Sequence, residues 1–475
     1  MVQQLIQQYI NGEWMDSTNK STIDVINPAT EEVFAQVADG SAEDVDKAVQ
    51  AAKTAFRSFS NTTVKERMDL LQRIIDVYES RKDDFITTIS NELGATLFLS
   101  EKVHYVSGLE HFKQAKRQLE TYSFEEKQGD TIIRKEAIGV SGLITPWNFP
   151  TNQTAIKIAG ALAAGSTVVL KPSELTPISA VILAEVLHEA GVPKGVFNLV
   201  NGYGHSVGHA ISGHPGIDFV SFTGSNETGK KISIRAAETV KKVALELGGK
   251  SPMIILDDFD MEQAAKIALS NVTFNCGQVC TLASRTFVPA HKETEFLQAL
   301  KEIYDSYVVG LPTDKTTRIG PVISAKQFDR VQYYMKKGIE EGATLFLGGT
   351  GKPAGLETGY FVKPTIFTNV TNDMTIAQEE IFGPVMSVIT YDTIEEALEM
   401  ANDTIYGLAG YVLGNNRDTV KYVANEIRAG EISINGGATD YGAPFGGYKQ
   451  SGIGRECGVY GMEEYLEVKA VLGFT

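Results

Sequence analysis

The chain has 475 residues, 43% hydrophobic and 21% charged, a globular composition with length for two or three domains and no match to a disordered or fibrous class. Its formal net charge of -16 opposes sequence-independent binding to nucleic acid, where clustered Lys and Arg are the driving force. Three cysteines are too few for a disulfide framework and lack paired metal-ligand spacing, so a reducing, cytoplasmic setting and no metal site are expected.

At the N-terminus, Gln3, Gln4, Gln7 and Gln8 stand where an export signal needs a basic start and an unbroken apolar run. Ser41, with Asp44 three residues on, reads as a capping box opening a helix to about Phe59. Helical patterns follow over Val64 to Leu93, with Gly94 as a stop, and over Glu101 to Tyr122. Thr131 to Glu136 and Gly139 to Thr145 then read as strands, the second ending at Pro146. The most apolar window, Ala155 to Leu170, contains Lys157, Ser166 and Thr167 and falls short of an uninterrupted span of about 20 residues, so no membrane helix is expected.

Strands at Thr167 to Leu170, Val196 to Val200, Phe219 to Thr223 and Val240 to Leu245 alternate with helices over Ile178 to Ala190, from His205, and over Glu227 to Ala237. Such alternation predicts βαβ units and a mostly parallel sheet, with nucleotide ligands at the carboxyl ends of its strands. A second alternating run begins at Met253 to Leu256 and reaches about Ile434, with helices near Asp260 to Thr273, Glu293 to Tyr304 and Ala325 to Glu341. The division between the two runs is placed near Gly248-Gly249.

Several short motifs carry chemistry, each with a plainer alternative. Gly224 to Gly229 follows a strand and opens a helix, a context that holds phosphate, but Lys231 stands where a magnesium-binding Ser or Thr is needed for ATP hydrolysis. Gly202 to Gly208 misses the dinucleotide fingerprint by one residue and reads as a turn, and His205, His209 and His214 read as a solvated face. Lys171 and Glu174, at a strand end, suit either ribose hydroxyls or a surface turn. Glu246, between two leucines and before a glycine pair, suits a desolvated general base or a buried salt bridge. Asn148, between Pro146 and Pro150, suits an oxyanion donor or a turn. Cys280 closes Phe274-Asn275-Cys276-Gly277-Gln278-Val279-Cys280, where a thiol near free backbone N–H groups is either a nucleophile or a packing residue.

Asn148, Lys171, Glu174, Gly224, Ser225, Glu246, Cys280, Glu380 and Phe382 occur in one order, and with them the sequence resembles the NAD(P)-dependent aldehyde dehydrogenase superfamily. The resemblance runs from Tyr9-Ile10-Asn11-Gly12-Glu13-Trp14 to Tyr465-Leu466-Glu467-Val468-Lys469 and includes the stretches 246 to 252, 379 to 384 and 444 to 456. It implies an α/β fold: a Rossmann-like NAD-binding domain (1 to 118 and 136 to 248, with 449 to 466 returning to it), an α/β catalytic domain (249 to 448), and a small β oligomerisation arm (119 to 135 and 467 to 475). A homodimer or homotetramer is therefore expected.

The resemblance also assigns roles. Cys280 attacks the aldehyde, Asn148 and the Cys280 N–H hold the oxyanion, Glu246 activates water to hydrolyse the thioester, and Lys157 helps to relay protons. Cofactor contacts fall to Thr145, Pro146, Trp147, Lys171, Ser173, Glu174, Gly204, Phe222, Gly224, Ser225, Gly229, Glu246, Leu247 and Gly248, with Glu380 on the nicotinamide ribose and Phe382 beside the ring. A carboxylate at Glu174 would repel a 2'-phosphate, which favours NAD over NADP. The substrate tunnel is expected at Phe149, Asn152, Gln153, Val279, Thr281, Tyr441 and Phe445, with no arginine cluster to mark phosphorylated or dicarboxylate aldehydes. A CoA-acylating variant has no need of the hydrolytic base that Glu246 supplies. Cys276, four residues before Cys280, is expected either to form a reversible disulfide with it or to pack away from it.

Overall fold

A computed structural model describes residues 2 to 473, so Phe474 and the end of the expected arm strand lie outside the described residues. One eight-stranded sheet has five parallel strands at its centre, in the order Lys242–Glu246, Phe219–Thr223, Val140–Ile144, Thr167–Lys171, Phe197–Leu199. Each of the three middle strands is buried along its whole length, which is why they read as continuous apolar runs rather than as alternation. The chain moves outward from Val140–Ile144 in one direction and then returns to lay Phe219–Thr223 on its other side. That reversal opens a crevice at the carboxyl ends of the strands.

A seven-stranded sheet carries, from edge to edge, Thr344–Leu347, Thr365–Thr368, Val385–Tyr391, Arg285–Pro289, Pro252–Ile255, Ala409–Leu413 and Glu431–Ile434. Only Thr344–Leu347 pairs antiparallel there. A three-stranded antiparallel sheet sets Thr131–Ala137 between Glu125–Gln128 and Leu466–Leu472. Val468 and Leu472, on its edge strand, are 67% and 78% exposed, a liability for a strand with a free edge.

Several elements differ from the sequence reading. The helix expected over Val64 to Leu93 is two, Val64–Ser80 and Lys82–Leu93, because Arg81 leaves helical geometry at φ -98° and ψ 18°; the apolar period continues through Tyr78 and Phe85 on either side and hides the break. The strand expected from Val240 starts at Lys242, since Val240 sits in a left-handed turn at φ 56° and is 91% exposed. A helix the sequence reading omitted, Pro150–Ala164, runs through the interior with all residues but Asn152 and Gly160 buried. It has no polar face, so no amphipathic period announces it. The short strands Gln7–Ile10 and Glu13–Asp16, which complete one edge of the large sheet, were also not foreseen. Among the described residues no helix is long and apolar enough to cross a membrane.

Candidate active site

Helix Met261–Thr273, capped by Asp260, ends at Phe274 and delivers three consecutive left-handed residues, Asn275 (φ 48°), Cys276 (φ 56°) and Gly277 (φ 71°). Left-handed backbone is costly for non-glycine residues, so surrounding contacts must hold this turn. They are present. The Gln278 amide donates to Asn275 O at 3.1 Å and its Oε1 accepts from Ile323 N at 2.8 Å. At Gly277 a β-carbon would lie 2.1 Å from the carbonyl carbon of Gly383, so only glycine fits.

The same turn grips Asn148. Asn148 Nδ2 donates to Gln278 O at 3.0 Å, and Asn275 Nδ2 donates to Asn148 O at 2.9 Å. One proton of the Asn148 amide remains for a second acceptor. Cys280 is partly exposed, and Asn148, Glu246 and Cys280 all line one cavity of about 440 Å³. Burial pushes the Cys280 thiol up, the carboxylates of Glu380 and Glu246 add to this, and the backbone N–H groups of Thr281 and Cys280 oppose it. Cys276 faces elsewhere. It is 3% exposed within the core of the seven-stranded sheet, among residues such as Phe287 and Val331, and burial raises its thiol to about 12. A disulfide would require Cys276 to leave that core, so the packed alternative is the one observed.

Glu246 ends its strand with a side chain that is 3% exposed, and neither carboxylate oxygen has a hydrogen-bond partner among the described residues. The salt-bridge alternative is therefore removed. Burial first, and the Glu456 carboxylate second, push Glu246 well above the ordinary carboxyl range, with Lys157 and Arg455 opposing. Lys157, fully buried, donates to Ser221 Oγ at 2.8 Å and pairs with Glu456. Glu456 was not singled out by the sequence reading, although it ends the 444 to 456 motif; a Glu after an Arg at a turn gives no local sign of burial.

The same cavity is lined by Gly224, Ser225, Leu247 and Gly248 and by Pro146, Trp147, Glu380 and Phe382. Ser225 caps helix Asn226–Ala237 by accepting from Thr228 N, and Gly229 lets that helix close on Leu247, where a β-carbon would lie 2.7 Å from Cδ2. Glu380 Oε1 accepts from Gly249 N at 3.1 Å, and a β-carbon on Gly248 would lie 2.4 Å from its Oε2. Burial raises the Glu380 carboxyl to about 7. Phe382 holds φ 63°, stacked edge-on to Trp147 at 5.3 Å, and Gln327 Nε2 donates to its carbonyl at 2.7 Å.

Lys171 Nζ donates to Glu174 Oε2 at 3.0 Å and to Pro172 O at 2.8 Å. Burial raises Glu174, but the Lys171 charge and hydrogen bond, a backbone N–H and His205 together outweigh it and hold the carboxyl below its ordinary value. Thr145, Ser173, Gly204, Phe222 and Gly229, with this pair, do not line the cavity. Thr145 N donates to Lys171 O, Ser173 Oγ accepts from Leu175 N, Phe222 packs under Gly224, and Gly204 opens a short π-helical turn. His214 bonds Asp46, and among the described residues no group of three or more His, Cys, Asp or Glu is placed to hold a metal ion.

The expected tunnel residues are divided. Val279 and Thr281, flanking the nucleophile, line a second cavity of about 960 Å³ with Phe274 and Tyr411, and Tyr411 OH donates to Thr281 O at 3.0 Å. Gln153 lines the first cavity instead. Asn152 Oδ1 meets His111 Nε2 at 3.3 Å, and His111 packs edge-on against Tyr441 at 5.2 Å. Phe149 stacks near His104 at 4.9 Å, and Phe445 exchanges backbone hydrogen bonds with Glu456. Cys280 thus stands with one cavity on the side of Glu380 and another beyond its chain neighbours.

The model of the aldehyde dehydrogenase family matches residues 14–471. A Staphylococcus haemolyticus chain bearing an aldehyde dehydrogenase name is 59% identical over 468 residues, 98% of each chain. Among solved structures, a mutant of aldehyde dehydrogenase C from Pseudomonas syringae, complexed with NAD+ and octanal, superposes with a TM-score of 0.98 at 46% identity over 99% of this chain and 97% of that one. Betaine aldehyde dehydrogenase from Staphylococcus aureus, in complex with NAD+, gives 0.96 at 41% identity over 99% and 95%.

Proposed function

The chain belongs to the aldehyde dehydrogenase family, and we propose that it oxidises an aldehyde to a carboxylic acid with NAD through a covalent adduct on Cys280. The observation that carries this is the meeting of Cys280, Asn148 and an unpaired, buried Glu246 in one cavity. NAD fits the remainder of that cavity, on whose wall Thr223 Oγ1 is buried without a partner among the described residues. Gly224, Ser225, Leu247, Gly248, Glu380 and Phe382 would hold it, with Lys171 and Glu174 at the adenosine ribose. The NAD+ complexes of the Pseudomonas and Staphylococcus enzymes support this assignment.

Glu246, raised by burial, relieves the Cys280 thiol of its proton, and Sγ bonds to the aldehyde carbon. The second Asn148 amide proton and the Cys280 N–H receive the oxyanion. Bound NAD supplies the acceptor for the hydride that this tetrahedral adduct expels. Lys157 with Glu456 carries the thiol proton away from Glu246, which then takes a proton from water as its oxygen attacks the thioester; the C–S bond breaks, the acid leaves, and Glu246 returns this proton to the Cys280 thiolate. Glu174 favours NAD over NADP, and a higher kcat/KM with NADP would overturn that preference.

The reading extends to the whole chain. Residues 1 to 118, 136 to 248 and 449 to 466 form the cofactor unit and 249 to 448 the catalytic unit. The arm at 119 to 135 and 467 to 475 joins a cytoplasmic homodimer or homotetramer. Purified protein with NAD and a panel of aldehydes that includes octanal and betaine aldehyde tests the activity by NADH absorbance; no NADH across the panel would refute it.

A further inference from the structure

We propose that Gln153 reads a hydroxyl close to the aldehyde group, so that short 2- or 3-hydroxyaldehydes are the preferred substrates; this rests on the aldehyde dehydrogenase reading above. Gln153 lies in the early turns of helix Pro150–Ala164, its backbone N–H donating to Phe149 O at 2.9 Å. Helical side chains lean toward the N-terminus, which brings its carboxamide back toward Asn148. It lines the same cavity as Cys280, Asn148 and Glu246, and it is 8% exposed. Its Oε1 is buried without a partner, and its carboxamide makes no hydrogen bond with the described residues.

Of the other polar side chains of this cavity, Thr223 Oγ1 and Glu246 are without partners, and most of the rest are engaged. Asn148 is tied to Gln278, Asn275 to Asn148, and Asn152 to His111. Ser324 caps the helix Ala325–Glu340, and Gln327 holds the carbonyls of Ile381 and Phe382. Gln153 alone among these offers both a free donor and a free acceptor beside the nucleophile. A buried amide left unpaired is destabilising, and a Met or Leu at this position would line the cavity without that cost. An apolar aldehyde gives the amide nothing; a hydroxyl near the carbonyl, itself donor and acceptor, completes it. The cationic side chains of this cavity, Lys326 and Arg330, come from helix Ala325–Glu340, and Arg330 is bonded to the carbonyls of Glu380 and Ile381, so a neutral hydroxyl suits Gln153 better than a carboxylate or phosphate.

The test compares kcat/KM for 2-hydroxypropanal against propanal and for 3-hydroxybutanal against butanal, in the wild-type chain and in Gln153→Met. At least one hydroxylated member of these pairs should be preferred by about tenfold or more in the wild type, and that ratio should fall to about one in the variant. A wild-type ratio of one or below in both pairs, or a preference that survives in Gln153→Met, would overturn the inference while leaving the dehydrogenase reading intact. If the variant does not fold, the wild-type ratios decide. Absence of NADH from every aldehyde would overturn the parent reading, and this one with it.

Discussion

Cys280 cannot be its own activator, because burial and the carboxylates of Glu380 and Glu246 hold its thiol in the protonated form. Cys280→Ala should reduce NADH production to background while calorimetry still detects NAD binding. In the proposed reaction Glu246 is the base, and since burial and Glu456 raise it, turnover should climb with pH through a range above that of ordinary carboxyls. Glu246→Gln should flatten that limb and lower kcat by about 10²–10⁴-fold. Lys157 lowers the same carboxyl, so Lys157→Met should move the limb to higher pH; an unmoved limb would separate Lys157 from the base. Glu380, raised to about 7 by burial, should accept from ribose hydroxyls more strongly as it ionises. KM for NAD should therefore fall as pH rises through about 7, and Glu380→Gln should remove the dependence.

Among elements, the clearest local signal was the capping box of helix Ala42–Phe59, where Ser41 and Asp44 satisfy one another's backbone as their spacing predicts. Asp44 does more than the sequence shows, accepting also from Ser17 Oγ at 2.6 Å and Thr18 N at 3.0 Å, so it anchors the N-terminal strands to the helix. Burial would raise its carboxyl, but these bonds outweigh that and hold it below its ordinary value. The stability it contributes is thus present above the unfolded-state carboxyl value and lost as pH falls through the lower folded value. Asp44→Ala should cost about 1–2 kcal/mol in urea unfolding at neutral pH, with the difference shrinking in acid. Helix Pro150–Ala164 shows the opposite case. Its buried circumference erases the period on which helix recognition depends, yet it carries Gln153 into the cavity and Lys157 to Ser221 and Glu456.

At the scale of the whole molecule, the cofactor cavity draws on both large sheets: Glu246 ends a strand of one, while Cys280 and Glu380 lie on loops before strands of the other. A ligand that bridges them should stabilise the fold as a unit. Saturation with NAD at 100 times its Kd should add about 2.7 kcal/mol, read as a Tm that rises with NAD concentration. The exposed Val468 and Leu472 on the edge of the three-stranded sheet suit a subunit contact. Light scattering should return two or four times the 51.6 kDa chain mass, and a monomer would refute the arm's assigned role.

By itself the sequence determined the parallel α/β character, since buried strands and their crossover helices write their period locally, and it determined the order of Asn148, Glu246 and Cys280 through their motifs. It left each of those residues with two readings. Only the tertiary structure decided between them, because burial and partnership are properties of distant neighbours. Glu246 is a lone carboxylate rather than half of a salt bridge, Cys276 turns into a core while Cys280 faces a cavity, and Lys157 meets Glu456 across 299 residues of chain. Burial raises both thiols, and what separates them is that one lines a cavity and the other lies in a core, a difference no local window contains.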